Sequence, residues 1–380
     1  MLFWTIFFIL GVFTYILAAI LNKSHTEKIT LFYTIVIWVI GAFRLNIGTD
    51  YSTYEIMYNS ITDLSSWNEG IEPTFSFIAL LLNYCEFNSQ MLFVVYETVI
   101  IGFIYAGVKK YLNNKLVILI VIVLYVVFPT NGGYWWELNA MRQAAAISVA
   151  FYSSGFFMER KYIKFALTFL LACLFHYSAI VFIAIFLYRK VFSIKLISIL
   201  LALGFVLNFT GITARAVMYI MSFGAEIVGR YEADIFIAAI GTSSFSITAC
   251  WFSILYLGSA YLLKKEKLPY LILNGSSIYI LLRVYMSFGI EDSLFATVIH
   301  RFEAYFLPFY LALLSIAIHK ILVSYRYRVK AVLATSIIAI SFSVLLLNVI
   351  NKQNEDVMAK IVPGASAGNI EYDFNFDLFK

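Results

Sequence analysis

Long apolar runs separated by short charged knots set the pattern of this chain. Runs at 2–21, 29–43, 89–108, 116–129, 139–158, 196–212, 245–263, 268–289, 302–319 and 331–350 each predict a helix surrounded by hydrocarbon, since about 20 apolar residues cover a bilayer. Two further apolar stretches fit a plain crossing poorly. Pro73–Phe87 is short, and Phe165–Tyr188 carries His176 near its midpoint. Such segments can enter and return on one side where protein or a water-filled cavity shields the backbone. The pattern predicts an all-α, polytopic integral membrane protein of about 10–12 transmembrane helices plus re-entrant segments. Residues 1–350 form one membrane domain with outer loops at 44–73 and 213–244, and 351–380 form a tail. The first run has no basic residues ahead of it, so it reads as a retained span rather than a cleaved signal.

Composition agrees with the pattern. Charged residues make up 13% of the chain, against roughly a quarter in soluble domains. The three cysteines (Cys85, Cys173, Cys250) sit in apolar runs without CxxC spacing, and the four histidines are scattered without HExxH. Neither a disulfide framework nor a metal site is expected. No glycine-rich phosphate loop is present, so no cofactor is expected either. The net charge of +5 follows the membrane and does not point to nucleic acid.

Charge placement sets the orientation. Six short connections, around Lys23–Lys28, Lys109–Lys115, Arg160–Lys164, Arg189–Lys195, Lys264–Lys267 and Lys320–Lys330, hold 18 of the 27 basic residues and three acidic ones. All six fall on the cytoplasmic side if the two awkward segments return without crossing. Outside the tail, the other half carries only arginines: Arg44, Arg142, Arg215, Arg230, Arg283 and Arg301. Topology needs a positive charge of either kind, whereas a planar fork that grips phosphate bidentately must be arginine.

Several of these arginines sit where anions bind. Asn139 is placed to cap the next helix, which puts Arg142 and Gln143 in its first turn, where helix N–H groups and a guanidinium make an anion site. Arg283 lies deep in ILLRVYMSFG, and Arg301 shares a helix face with Tyr305. Arg44 ends the second span, and Arg215 and Arg230 flank an outer loop. The loop after Arg44 holds Asp50, then Tyr51, Tyr54, Glu55 and Tyr58 at helical spacing, then Asp63, Trp67, Glu69 and Glu72. Tyr134, Trp135, Trp136 and Glu137 add to the same side. Aromatic faces beside carboxylates suit sugars, although an interfacial aromatic belt accounts for them equally. His176 serves either as a satisfied buried histidine or in acceptor positioning and general-base work. Glu97, mid-span, pairs with either an arginine or a tyrosine hydroxyl.

A ligand that fits is a membrane lipid carrying pyrophosphate and a sugar chain. Breaking a sugar–pyrophosphate bond calls for stabilised negative charge, and the attacking hydroxyl for a base. GTDYSTY after an arginine-ended span, then EPTF, LNAMRQAAAISVAFYSSGFF, LLACLFHYSAIVF and HRFEAYF resemble, in this order, the EpsG-like, Wzy-type polysaccharide polymerases. The resemblance runs from about Arg44 to Phe306. It implies a GT-C-like helical fold in the bacterial inner membrane with its active site facing outward, and no metal or nucleotide sugar. The implied reaction transfers a glycan from undecaprenyl pyrophosphate onto a lipid-linked repeat, with a flippase and a chain-length regulator as partners. It carries catalytic function onto Asp50, Arg142, His176 and Arg301. Substrate binding is expected from Arg44, Arg283, Tyr51, Glu72, Trp136, Glu137, Gln143 and Tyr305. A ligase or other lipid-linked glycan transferase, or a flippase of lipid-linked glycan, would use similar features.

Overall fold

In the computed structural model, residues 10–11, 14, 23–48, 50–63, 70–128, 133–187, 190–213, 215–216, 246–285, 301–323 and 373–374 are described. The spans expected at 2–21 and 331–350 and the outer loop at 213–244 lie almost wholly outside them, as do Trp67, Glu69 and Arg230. The described residues are helical almost throughout. Ser89–Tyr111 is long and apolar enough to cross a membrane, and several shorter apolar helices accompany it. The chain divides into two compact units, Met1–Ile180 with Ile318–Lys380, and Val181–Ala317.

In the first unit, α1 (Lys23–Ala42) leads through β1 (Arg44–Leu45) to α2 (Tyr51–Ser60), α3 (Pro73–Tyr84) and α4 (Ser89–Tyr111). Next come α5 (Lys115–Val127), α6 (Tyr134–Asn139), α7 (Met141–Met158) and α8 (Tyr162–Phe175). β1 pairs antiparallel with β2 (Asp373–Phe374) over two residues. Side chains start two helices as their sequences require: Asn88 accepts from the Gln90 amide, and Asn114 from those of Leu116 and Val117. The tyrosine face of α2 packs inward. Tyr51 stacks on Phe93 at 4.5 Å, and the Tyr58 hydroxyl donates to the Phe87 carbonyl.

The run expected at 139–158 starts differently from its pattern. α6 follows Gly133 at its N-cap position and closes on a hydrogen bond from the Ala140 amide to the Trp136 carbonyl. Asn139 is therefore the last residue of α6, and Ala140 holds the N-cap position of α7 with no side-chain cap. An N-cap needs non-helical backbone, so Asn139 does not fill the capping role expected of it. Arg142 still stands in the first turn of α7. The run at 165–188 is broken. α8 ends at His176 in extended backbone (φ −159°, ψ 124°), and a 3-10 helix, Tyr177–Phe186, follows.

Basic connections gather at one end of this unit. Glu27 takes Lys109 at 3.2 Å and Lys115 at 2.7 Å, and Glu159 takes Lys110 at 3.0 Å and Lys161 at 2.7 Å. The hydrogen bonds from these lysines hold both carboxyls below the usual carboxylate range. Exposed pairs of this kind add little stability, but they mark three basic connections as neighbours, as the charge sorting requires. α4 and α7 pack closely where Gly107 meets Phe151, whose buried ring stacks on Tyr111 at 5.4 Å.

The second unit holds α9 (Ile194–Phe209), α10 (Ile247–Leu262), α11 (Tyr270–Tyr285) and most of α12 (Leu307–Val323). Buried polar groups tie it together. The Tyr310 hydroxyl donates to the Phe252 carbonyl at 2.8 Å, and the Tyr285 hydroxyl to the Leu200 carbonyl at 2.9 Å. Phe182 stacks on Phe306 and Phe309.

A Cβ at position 107 would lie 2.6 Å from the Phe151 ring. Gly107→Val is expected to destabilise the detergent-solubilised protein by about 1–3 kcal/mol, read as a lower unfolding midpoint.

Candidate active site

Three chain breaks converge on one carboxylate in the first unit. Glu72 precedes Pro73, whose ring favours extended backbone before it; Glu72 has φ −60° and ψ 141° and stands at the N-cap of α3. Its side chain makes no capping bond. Instead Oε2 accepts from Nη1 of Arg142, at the start of α7. Its other oxygen, Oε1, lies 3.7 Å from His176 Nε2. Thr74 Oγ1 donates to the Leu174 carbonyl at 2.8 Å, which fixes the start of α3 against the end of α8 and so sets Glu72 beside His176. The rings of Tyr54 and Phe75 flank the guanidinium at 5.6 and 5.7 Å.

The histidine's protonation pattern follows from its partners. The Ser178 amide donates to Nδ1 at 3.2 Å, and the Ser178 hydroxyl lies 2.8 Å from the same nitrogen. An N–H can only donate, so Nδ1 keeps its lone pair and the ring hydrogen sits on Nε2, facing Glu72. His176 thereby also starts the 3-10 helix. Arg142 remains approachable: its side chain is 24% exposed, and its buried Nε has no hydrogen-bond partner among the described residues.

A second cluster in the same unit is closed. Arg44 and Glu97 are 1% exposed and Glu137 is fully buried. Arg44 Nη1 lies 3.4 Å from Glu97 Oε2 and donates to the Gly41 carbonyl at 2.7 Å. The guanidinium sits 4.8 Å over the Phe93 ring. The Glu97 carboxylate rests on the bare Cα of Gly41, where a Cβ would come within 2.2 Å of Oε1. Tyr125 donates to Glu137 Oε2 at 2.5 Å. Burial, then the neighbouring Glu97 charge, raises the Glu137 carboxyl well above the usual range. Gly48, at φ +105°, lets the chain after β1 run against the Leu138 carbonyl, where a Cβ would lie at 2.2 Å.

The remaining expected residues are distributed as follows. Asp50 is half-buried at the N-cap position of α2, and Tyr51 is buried against Phe93. Trp136 is half-buried, with a buried indole N–H that has no partner among the described residues, and Gln143 is buried beside Arg142. In the second unit Arg283 donates to Glu303 at 2.6 Å and lies 5.6 Å over Phe252. Tyr305 is fully buried near Phe182, and Arg301 is half-buried at the start of the short helical stretch before it. Arg215 is exposed and bonds the Thr210 carbonyl at the end of α9. The structure thus joins Arg142, His176 and Glu72, and draws Arg44 and Glu137 into an interior cluster. Among the described residues no three His, Cys, Asp or Glu side chains gather as a metal site would.

The model of one protein family, the EpsG family, matches residues 27–363. The chain belongs to the EpsG family. This is a Wzy-like family of polysaccharide polymerases, and the helical, apolar build is that of a membrane protein. No curated protein and no solved structure matches the chain.

In this EpsG-family chain the sequence marked the cations but left two partners open or unseen. Glu97 had two candidate partners and takes Arg44. Glu303 sat unremarked inside HRFEAYF, although its place two residues from Arg301, next to an apolar helix, was the available signal. Gly41→Ala is expected to push the Glu97 carboxylate off Arg44 and leave a charge badly paired. A loss of about 3–5 kcal/mol, the cost of breaking a buried pair, should appear in the unfolding midpoint.

Proposed function

We propose that the chain is a metal-independent glycosyltransferase that polymerises lipid-linked oligosaccharide repeat units. The glycan passes from undecaprenyl pyrophosphate to the non-reducing end of an incoming lipid-linked repeat, at the outer leaflet of the bacterial inner membrane, within a GT-C-like bundle. The observation that best supports this reading is one carboxylate, Glu72, held between Arg142 and His176 at the starts of α3 and α7. In the resting protein Glu72 neutralises Arg142. An arriving pyrophosphate, with more oxygens and more charge, takes the guanidinium and is further favoured by the helix N–H groups. Glu72 is then released to act as base. The acceptor hydroxyl oxygen bonds to the anomeric carbon as the anomeric carbon–oxygen bond to pyrophosphate breaks. The hydroxyl proton passes to Glu72, and the leaving group keeps its electron pair on an oxygen faced by Arg142. With Nδ1 engaged and Nε2 protonated, neutral His176 positions Glu72 rather than removing the proton itself. Asp50 and Trp136 belong to the sugar side of the reading, and Arg283 and Arg301 are proposed as phosphate-binding charge within the second unit. Units must arrive from the cytosol, which calls for a flippase, and a chain-length regulator is a further partner.

Glycan length in cells tests this. Arg142→Ala and Arg142→Lys should both lose long chains, because lysine keeps the charge and loses the fork; Glu72→Gln should slow transfer by about 10²–10⁴-fold. Long chains of wild-type length in both arginine variants, at normal protein level, would refute the assignment. Full-length but unattached chains would instead identify a ligase, and units stranded on the inner leaflet a flippase.

A further inference from the structure

The closed cluster poses a problem of charge that the proposed reaction does not use. The Glu97 and Glu137 carboxyls interact with each other in the interior. Oε1 of each is buried, and neither has a hydrogen-bond partner among the described residues. Two ionised carboxylates could not satisfy each other, because both only accept, and neighbouring like charges do not both ionise in an apolar interior. Arg44 can neutralise only one of them.

We propose that Glu97 and Glu137 hold a single proton between them, carried by Glu137, and that this acid–carboxylate bond positions the helix that delivers Arg142. The partners decide which oxygen carries it. Glu97 faces Arg44 through Oε2 and keeps the charge. Glu137 accepts from Tyr125 at Oε2, so Oε2 is its carbonyl oxygen and Oε1–H donates to Glu97 Oε1. Every polar atom of both carboxyls then has a partner of the right kind. The groups facing Glu137 are Glu97 from α4, Tyr125 from α5, Arg44 after α1 and Tyr134 from α6 itself, with Tyr33 of α1 behind Tyr134. Tyr134 donates to the Ile37 carbonyl at 2.8 Å, so α6 is bound to α1, α4 and α5 together. The next residues after α6 are Ala140, Met141 and Arg142. The proton site stands whatever the reaction; only its link to Arg142 rests on the polymerase reading.

The test compares two isosteric variants of the full-length protein in detergent. Glu137→Gln replaces the shared proton with an amide donor, and its unfolding midpoint should stay within about 2 °C of wild type, whereas Glu97→Gln strands Arg44 and should fall by about 5 °C or more, or fail to fold. A carboxyl raised on folding contributes stability below its unfolded pKa and loses it as pH rises through the folded value. The wild-type midpoint should therefore drop on the alkaline side, and that drop should be absent in Glu137→Gln. The infrared band of a protonated carboxyl should also vanish in Glu137→Gln. A Glu137→Gln protein as unstable as Glu97→Gln, or one that keeps the alkaline drop, would overturn the proposal. So would a wild-type midpoint that follows sodium or potassium at fixed ionic strength, which would put a cation between the carboxyls. For the link to Arg142, Glu137→Ala should shorten glycans and Glu137→Gln should restore them; equal shortening in both would break that link alone.

Discussion

A guanidinium inside apolar helices must carry its counter-charge with it. Each unit solves this with a glutamate from a different element: Arg44 with Glu97, Arg142 with Glu72, Arg283 with Glu303. Such pairs are weak evidence for net stability, since desolvation offsets much of their attraction, yet losing one partner leaves a charge stranded. The effect is to fix register. An element that carries half of a pair cannot slide without exposing it. The pairs differ in one respect that matters for function: the side chains of Arg44, Arg142 and Arg283 are 1%, 24% and 14% exposed. The same chemistry is thus used to lock one place and to leave another partly exposed.

The site at Glu72 is assembled from interruptions, not from regular structure. Pro73 fixes the backbone ahead of α3, the α6–α7 junction turns at Ala140, and α8 stops at His176. At each place backbone groups are freed from helical bonding, and side chains reach what continuous helices would keep covered. A single bond from Thr74 to the Leu174 carbonyl holds two of these places in relation to each other.

Much of this was legible in the sequence. Hydropathy marked the apolar helices because their length and composition are set by the solvent around them. The tyrosine spacing marked α2 because burial of one face imposes the helical period. His176 stood out because a titratable group in an apolar run needs a structural reason. The partners were harder to see. Arg44 and Glu97 are 53 positions apart, and Arg142 and Glu72 are 70 apart, so no local period connects them. Asn139 misled because YWWELN forms a short helix of its own, and local competition of that kind is decided by tertiary packing. Glu137 looked like a rim carboxylate and is wholly enclosed, since the chain after β1 folds over α6 through Gly48.

The stop at His176 also fixes a depth. From the basic turn at Glu159–Lys161, the 14 residues of α8 climb about 21 Å at an α-helical rise. A hydrocarbon layer of about 30 Å would extend about 9 Å further. Under the proposed function, with that turn at the inner interface, a diphosphate meeting Arg142 beside this histidine would descend below the level at which lipid headgroups normally rest, drawing its first sugars down after it.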